Sequence, residues 1–289
     1  MAWTLTDDIA SYRAAAGGLL SADPVRNTVL LSVLASLVEF GLAAFGPEPP
    51  LFGWWSEHDQ GTSAAALTRV AAAILRTPPH ELLFTTLPGP SAAQLAGALA
   101  DRGAALPGIN GGEQDATALA VAWHERTGRR GQVSQRQRLY RLGDLVRTDR
   151  VPDGAARVAT EADAAIVRAL YSAFAAEVGH EDAPEQLIAD RLMAGQLMLW
   201  ETDGEPVSFA GSTGVLEGVA RIGPVYTPPR WRGRGYGGAV TTAIGELARE
   251  RGAASVVLFT DLANPASNSL YVRLGYRPVE DRVVLRFCD

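Results

Sequence analysis

The stretch Arg221 to Val240, RIGPVYTPPRWRGRGYGGAV, constrains this chain most. A strand-like run passes through two prolines into glycines at 233, 235, 237 and 238, and then into a helix-like run. Glycines there permit positive φ and close approach of backbone to ligand, while a helix start presents unpaired N–H groups at a positive dipole end. The pattern predicts a diphosphate cradle between a strand and a helix, an arrangement of α/β folds. Arg230, Arg232 and Arg234 around it would add charge-assisted contacts to phosphates. A glycine-rich surface turn without a ligand is the plainer alternative.

The segment also satisfies the dinucleotide fingerprint, with Gly233, Gly235 and Gly238 in its three glycine places. That fold needs a tight turn where two prolines and three arginines stand here. About 50 residues follow Gly238, too few for the rest of a doubly wound sheet.

Composition narrows the function classes further. The length of 289 residues suits two domains, and 47% hydrophobic against 20% charged residues excludes a mainly disordered chain. With 26 basic and 32 acidic residues the net charge is −6, which argues against a nucleic-acid partner. All the basic residues are arginine, so phosphate-loop NTPases, Schiff-base enzymes and protein kinases, each built on a lysine, are excluded. A single cysteine, Cys288, rules out internal disulfides and cysteine zinc clusters, and with no signal-like opening segment the expected compartment is cytoplasmic. Thr28 to Phe45 is apolar over almost a bilayer's width, but Thr28, Ser32, Ser36 and Glu39 share one helical stripe. Glu39 in lipid would cost about 3 kcal/mol, so the expectation is a half-buried amphipathic helix and no membrane partner.

Local signals predict two helices at the start, one opened by Asp7 and Asp8 and the other by Asp23-Pro24. Strands follow around LFGWW, SAAALTRVA and ELLFTTL, then a helix over Ser91 to Asp101 closed by Gly103, a helix over Asp115 to Glu125, and the strand QRQRLYRL. Trp54 and Trp55 are expected in the core of this half. Arg147 to Gly154 reads as a linker. Beyond it come the strand ARVAT, helices over Glu161 to Val178 and Pro184 to Ala194, a hairpin turning at Asp203-Gly204, and a strand entered at Glu217-Gly218. A helix closed by Gly252, the strand ASVVLFT, a helix over Pro265 to Leu274 closed by Gly275, and the strand RVVLRF complete the chain. The two halves repeat nearly one order of elements, with a faint echo between ALADRGAA and ELARERGAA.

Two motifs carry a family resemblance. Arg232-Gly233-Arg234-Gly235-Tyr236-Gly237, preceded by a strand ending Val225-Tyr226-Thr227, resembles the R/Q-x-x-G-x-G/A loop of the GNAT superfamily of acetyl-CoA-dependent N-acetyltransferases. Asn264, Ser267, Tyr271 and Gly275-Tyr276 resemble that superfamily's N-x-x-S/A-x-x-x-Y-x-x-x-G-F/Y helix. The resemblance covers Arg157 to Phe287. It implies an α/β fold of the α+β kind with a mixed central sheet, and two GNAT-like domains in tandem: a degenerate one over 1–149 without a cofactor loop, and a competent one over 155–289. The degenerate half, with TLPGPSAAQLAG in place of the loop, would pack beside the other and shape the acceptor site.

The resemblance implies direct acetyl transfer from acetyl-CoA to a primary amine of a small molecule or peptide, in a ternary complex, without metal, by a monomer or homodimer. The diphosphate would lie on the N–H groups of Arg232, Gly233, Arg234, Gly235, Tyr236, Gly237 and Gly238. The pantetheine arm would pair with Val225, Tyr226 and Thr227, one of whose N–H groups would serve as oxyanion donor, and Tyr271 would protonate the departing thiolate. Seven residues of helix bring Tyr271 within about 20° of Asn264, so that Asn264, Ser267 and Asn268 form a polar row toward the ligand. Asn264 before Pro265 also reads as a helix N-cap, and a packed aromatic is the plainer alternative for Tyr271. Freeing a lysine-like amine of its proton at pH 7 costs about 4.6 kcal/mol, so a base is needed. The strand ARIGPVYT carries no carboxylate, which leaves Glu217, His180 and Glu181 as candidates acting through water. Glu177, Glu181, Asp182 and Glu185 would favour a cationic acceptor, or simply be solvated. His58, His80 and His124 have no partner at ligand spacing. The intact loop without a strand carboxylate also fits a non-catalytic acyl-CoA sensor.

Overall fold

The computed structural model describes residues 1–58, 68–147, 151–179 and 182–288. Short 3-10 turns aside, the chain runs β1 (Ala2–Thr6), α1 (Ile9–Ala22), α2 (Thr28–Phe40), β2 (Leu51–His58), β3 (Thr68–Arg76), β4 (Leu82–Phe84), α3 (Ser91–Asp101), β5 (Gly108–Gly112), α4 (Glu113–Thr127) and β6 (Arg130–Leu142). The same order then returns as β7 (Ala155–Val158), α5 (Ala164–Val178), α6 (Glu185–Met193), β8 (Leu197–Thr202), β9 (Glu205–Ser212), β10 (Val219–Tyr226), α7 (Tyr236–Glu250), β11 (Ser255–Asp261), α8 (Pro265–Arg273) and β12 (Tyr276–Cys288). Two compact units result, residues 1–138 with 280–289, and residues 139–279.

In the first unit the strands lie in the order β1-β2-β3-β4-β5, followed by the C-terminal part of β12 and then β6. The β12 segment runs antiparallel to β5, from Arg282 opposite Gly112 to Arg286 opposite Gly108. A strand, and not a helix, opens the chain: β1 pairs with β2 from Ala2 opposite Ser56 to Thr6 opposite Phe52. Asp8 caps α1 as its position predicts, its carboxylate accepting from the N–H groups of Ala10 and Ser11. The second helix begins later than Asp23-Pro24 suggests. Asp23 instead closes the intervening turn through the N–H and guanidinium of Arg26, and α2 starts after Asn27. Adjacent tryptophans face opposite ways because side chains alternate along a strand. Trp55 is buried with Phe84, Leu95, Leu99 and Trp123 beneath α3 and α4, whereas Trp54 packs toward Tyr12, Leu20 and Leu37 beneath α1 and α2.

In the second unit the order is β7-β8-β9-β10-β11, followed by the end of β6 and the start of β12. β10 and β11 run parallel, as β4 and β5 do in the first unit, and a parallel neighbour requires the crossover that α7 supplies. On one face α7 and α8 cover Val207, Ala220, Ile222 and Leu258. On the other α5 and α6 cover Leu197, Leu199, Phe209 and Tyr226. The reading of Arg147 to Gly154 as a linker falls partly outside the described residues. Its end is fixed: Trp200 Nε1 donates to the Asp153 carbonyl at 3.0 Å, and Gly154, at φ +102°, lies so close to the Glu201 carbonyl that a Cβ would not fit. Gly103, Gly252 and Gly275 all close helices at positive φ, as read. No helix among the described residues is long and apolar enough to cross a membrane.

Candidate functional site

The site begins where β10 leaves its parallel partner. Register with β11 holds from Val219 opposite Ser255 to Ile222 opposite Leu258, and the pairing with β9 shifts between Ile222 and Val225. Gly223-Pro224 lies in that shift, and Pro224 has no N–H to give a ladder. The strand therefore splays at the point where Val225, Tyr226 and Thr227 approach the glycine loop. Ser208 Oγ holds this end of the strand through the Tyr226 carbonyl at 3.0 Å and the Thr227 hydroxyl at 2.8 Å.

The loop runs from Pro228 into α7. Gly233 and Gly235 take φ of +76° and +91°, the left-handed region that side chains resist. Gly235 is the residue before α7, and no side chain caps that helix. Among the described residues the first N–H groups of α7 thus have neither intrahelical nor side-chain partners, which is the backbone requirement for holding an anion. Gly237 faces the Thr227 hydroxyl and Gly238 faces Leu270, where an added Cβ would sit at 3.3 Å and 3.2 Å. Small residues at both places let the strand end, the helix start and α8 converge.

The three arginines, equivalent in sequence, are distinct in space. Arg230 is ion-paired with Glu205. Arg232 pairs with Glu177 at 2.5 Å, donates from Nε to the Thr227 carbonyl at 2.8 Å, and lies over the Tyr226 ring. Arg234 stacks on Trp231, 4.9 Å from the ring centroid, and has no carboxylate partner among the described residues. Its charge is therefore the one available to a phosphate. Glu185 pairs with Arg168, so two of the four acidic residues read as a cationic-acceptor field are offset by arginines.

On α8, Asn264 caps the helix, its Oδ1 accepting from the Ser267 N–H at 3.0 Å. Asn268 donates to the carbonyls of Asp261 and Asn264 and accepts from the hydroxyls of Thr260 and Tyr140. Its amide is thereby saturated, which makes Asn268 a brace of the β11-to-α8 connection and not a ligand group. Tyr271 is buried, packs edge-on against Tyr276 at 5.8 Å, and has its phenol pushed up to about 12 by that burial, with the Thr241 hydroxyl pulling the other way. Thr241 Oγ1 donates to the Gly237 carbonyl at 2.7 Å, so Tyr271 stands behind the first turn of α7. Glu217 is exposed in the tight turn that enters β10, and the strand from Val219 to Val225 puts it about 20 Å from the splayed end. The structure does not bring it to the loop. His180 and Glu181 lie outside the described residues.

One pair of residues escaped the sequence reading. Arg191 on α6 donates from Nη1 to the Tyr171 phenol oxygen at 2.7 Å and to the Gly223 carbonyl at 3.1 Å. A single arginine in a short polar helix reads as a solvated side chain, and no local signal joins it to a strand bulge 32 residues away. The described residues hold no cluster of three His, Cys, Asp or Glu able to bind a metal.

Residues 164–276 match the acetyltransferase (GNAT) family. No curated protein matches the chain. Among solved structures, the chain resembles a GCN5-related N-acetyltransferase from Sphaerobacter thermophilus, at 19% identity and TM-score 0.60 over 98% of this chain and 95% of that one. An acetyltransferase of the GNAT family from Colwellia psychrerythraea aligns over 100% of both chains at 13% identity and TM-score 0.59. A GCN5-related N-acetyltransferase from Kribbella flavida aligns over 74% of this chain and 86% of its own, at 21% identity and TM-score 0.55. These likenesses establish a mixed α/β GNAT fold, consistent along the whole chain with a two-domain arrangement. The family match supports acyl transfer as the broad class of chemistry.

Proposed function

We propose that the second unit binds acetyl-CoA and transfers its acetyl group to the primary amine of a small molecule or peptide by direct attack. The observation that carries this reading is the uncapped start of α7 beside a splayed β10, reached through glycines at positive φ. In this reading the N–H groups of 232–238 hold the diphosphate with Arg234 as cationic partner. Val225, Tyr226 and Thr227 take the pantetheine arm, and one N–H at the bulge faces the oxygen that gains charge in the transition state. Tyr271, protonated because burial pushes its phenol up, is the proton donor to the departing thiolate in this reading. Amine nitrogen and carbonyl carbon join, the carbon–sulfur bond breaks, and the proton that the amine sheds to solvent or base replaces the one Tyr271 gave. Asn264 caps α8, and Ser267 remains a contact for the cofactor. A chain with one cysteine fits the reducing cytoplasm, where acetyl-CoA is made and used.

The first unit fits a degenerate copy that holds no coenzyme A. It repeats the element order but has no arginine between β4 and the end of α3. A carboxylate of its own, Asp115, takes the Leu87 N–H at 3.1 Å past the end of β4. The absence of a carboxylate on β10 favours one second reading, an acyl-CoA sensor without turnover. Release of free thiol from acetyl-CoA, measured across a panel of amines for the wild type and Tyr271→Phe, separates the two. Amine-dependent release that falls in the variant, with acetyl-CoA affinity unchanged by calorimetry, supports catalysis. Binding without release under any amine supports the sensor, and no binding heat overturns both.

A further inference from the structure

Beyond the cofactor loop, the guanidinium of Arg191 is a donor group whose hydrogen-bonding capacity the fold uses only in part. Among the described residues both of its hydrogen bonds come from Nη1, one to the Tyr171 oxygen and one to the Gly223 carbonyl. A guanidinium has five N–H donors in a planar fork, and these two bonds leave Nε and Nη2. That edge is the one that receives a carboxylate through two parallel hydrogen bonds. Both Arg191 partners are neutral, and no carboxylate lies within ion-pair distance of it among the described residues. The side chain is half-buried, and Gly211 on β9 keeps room for it, since a Cβ there would stand 3.2 Å from Nη1. Tyr171 is buried and accepts from Arg191, so its own O–H is left to donate. Burial raises this phenol, and Arg191 draws it back, so the proton stays in place at neutral pH.

Location gives this donor set a purpose. Gly223 is two residues before Val225, within about 7 Å of the splayed strand end. The groups meet on the α5 and α6 face, where Tyr171 packs on Phe209 at 5.1 Å between ring centroids. In an amino acid the carboxylate sits one carbon from the amine, so anchoring the first at Arg191 sets the second beside the bulge.

We infer that Arg191, oriented by Tyr171 and Gly223, determines acceptor specificity by binding a carboxylate carried by the amine, so that the substrate class is an amino acid. The inference rests on the acetyltransferase reading for its chemistry but not for its binding site.

The test uses the full chain with acetyl-CoA and matched pairs of acceptors, each an amino acid and the amine left when its carboxylate is removed. Thiol release gives kcat/KM, calorimetry gives acetyl-CoA affinity, and thermal unfolding gives stabilisation by each amino acid alone. The wild type should favour the carboxylate-bearing member by at least roughly tenfold. Arg191→Met should lower kcat/KM for that member by roughly 10- to 100-fold more than for its decarboxylated partner, with acetyl-CoA still bound. Arg191→Lys keeps the charge without the fork and should fall between, which guards against a variant that merely misfolds. Equal rates on both members, or an equal fall on both in Arg191→Met, overturns the inference while the acetyltransferase reading stands. An amino acid that stabilises the wild type but not Arg191→Met, with no thiol released, retains the carboxylate site and sinks acetyl transfer. Neither turnover nor stabilisation by any member overturns both.

Discussion

Gly235 and Gly252 offer a controlled test of the loop, because they occupy the two ends of α7 at almost the same φ, +91° and +92°. Alanine at either place meets no steric obstacle. The nearest atoms to a Cβ on Gly235 belong to Pro152 at 3.8 Å, and nothing lies within 4 Å of one on Gly252. The cost in both variants is therefore the left-handed backbone alone, about 1–2 kcal/mol for a residue with a Cβ. At Gly252 that strain falls on a C-terminal cap, in which Gly252 and Ala253 donate to the carbonyls of Arg249 and Ala248. At Gly235 it falls on an exposed loop that relaxes more cheaply than the helix behind it. Relaxation turns the first N–H groups of α7 away, and a ligand must restore them on binding. Gly235→Ala should accordingly weaken acetyl-CoA binding by roughly 5- to 30-fold, while Gly252→Ala leaves it unchanged and lowers the unfolding midpoint by roughly 2–8 °C. Titration calorimetry with acetyl-CoA on the two variants, beside thermal unfolding by circular dichroism, measures both quantities. Unchanged affinity in Gly235→Ala, or equal loss in both, would refute the placement of the diphosphate on this bend.

Two titrating carboxylates yield predictions of opposite sign. Asp163 is held by both terminal nitrogens of Arg157 at 2.8 Å and also closes a capping box with Thr160, so its carboxyl lies well below the usual range. A depressed carboxyl adds stability above its unfolded value, near 3.9, and loses it as pH falls through the folded one. Asp163→Asn should therefore unfold at a lower temperature than wild type at pH 7, with the gap narrowing below about pH 4; a gap independent of pH removes the ion pair as its cause. Burial raises Asp115, and the Leu87 N–H draws it down less. A raised carboxyl adds stability below its unfolded value that is lost as pH rises through the folded one, so Asp115→Asn should not destabilise the protein at pH 7. Asp115→Ala, which leaves the Leu87 N–H without its acceptor, should cost about 1–3 kcal/mol in urea unfolding. Equal loss in both variants would mean that the charge, and not the hydrogen bond, matters.

What the sequence disclosed was local. Gly103, Gly252 and Gly275 close helices because only glycine takes those φ values without strain, and Asp8 caps α1 because its short carboxylate reaches two free N–H groups. The strand, loop and helix around Gly235 are legible for the same reason. β1 was not: AWTLT alternates over only five residues and is a strand because β2 lies beside it. Asp23 misled because its carboxylate found Arg26 in a turn before the helix it was expected to start. At the site, three arginines alike in sequence divide by partner, and Glu217, a candidate base, lies a strand's length from the loop. Arg191 and Asn268 take their roles from residues that packing alone brings near, across 20 and 32 positions for the first and as many as 128 for the second.

The two units also show how one order of elements can lead to different chemistry. Each joins a strand of a parallel pair to a helix, β4 to α3 and β10 to α7, and each follows with a strand and a further helix. In the first unit, Asp115 at the third position of α4 reaches back to the Leu87 N–H, and the Phe84 ring packs directly on Gly111 where the parallel strands would otherwise part. The Leu87 N–H and the cleft are both filled from within. In the second unit the third position of α8 is Ser267, a short neutral side chain, and β10 is turned away from β11 beyond Ile222 by the shift at Gly223-Pro224. Donors that the chain does not satisfy must meet water or a ligand, and a row of them at the positive end of a 15-residue helix favours an anion. The starts of α3 and α7 both lack a side-chain cap, so the contrast between the units lies in one carboxylate, one aromatic ring and a strand shift, which leave a splayed strand beside the helix start in the second.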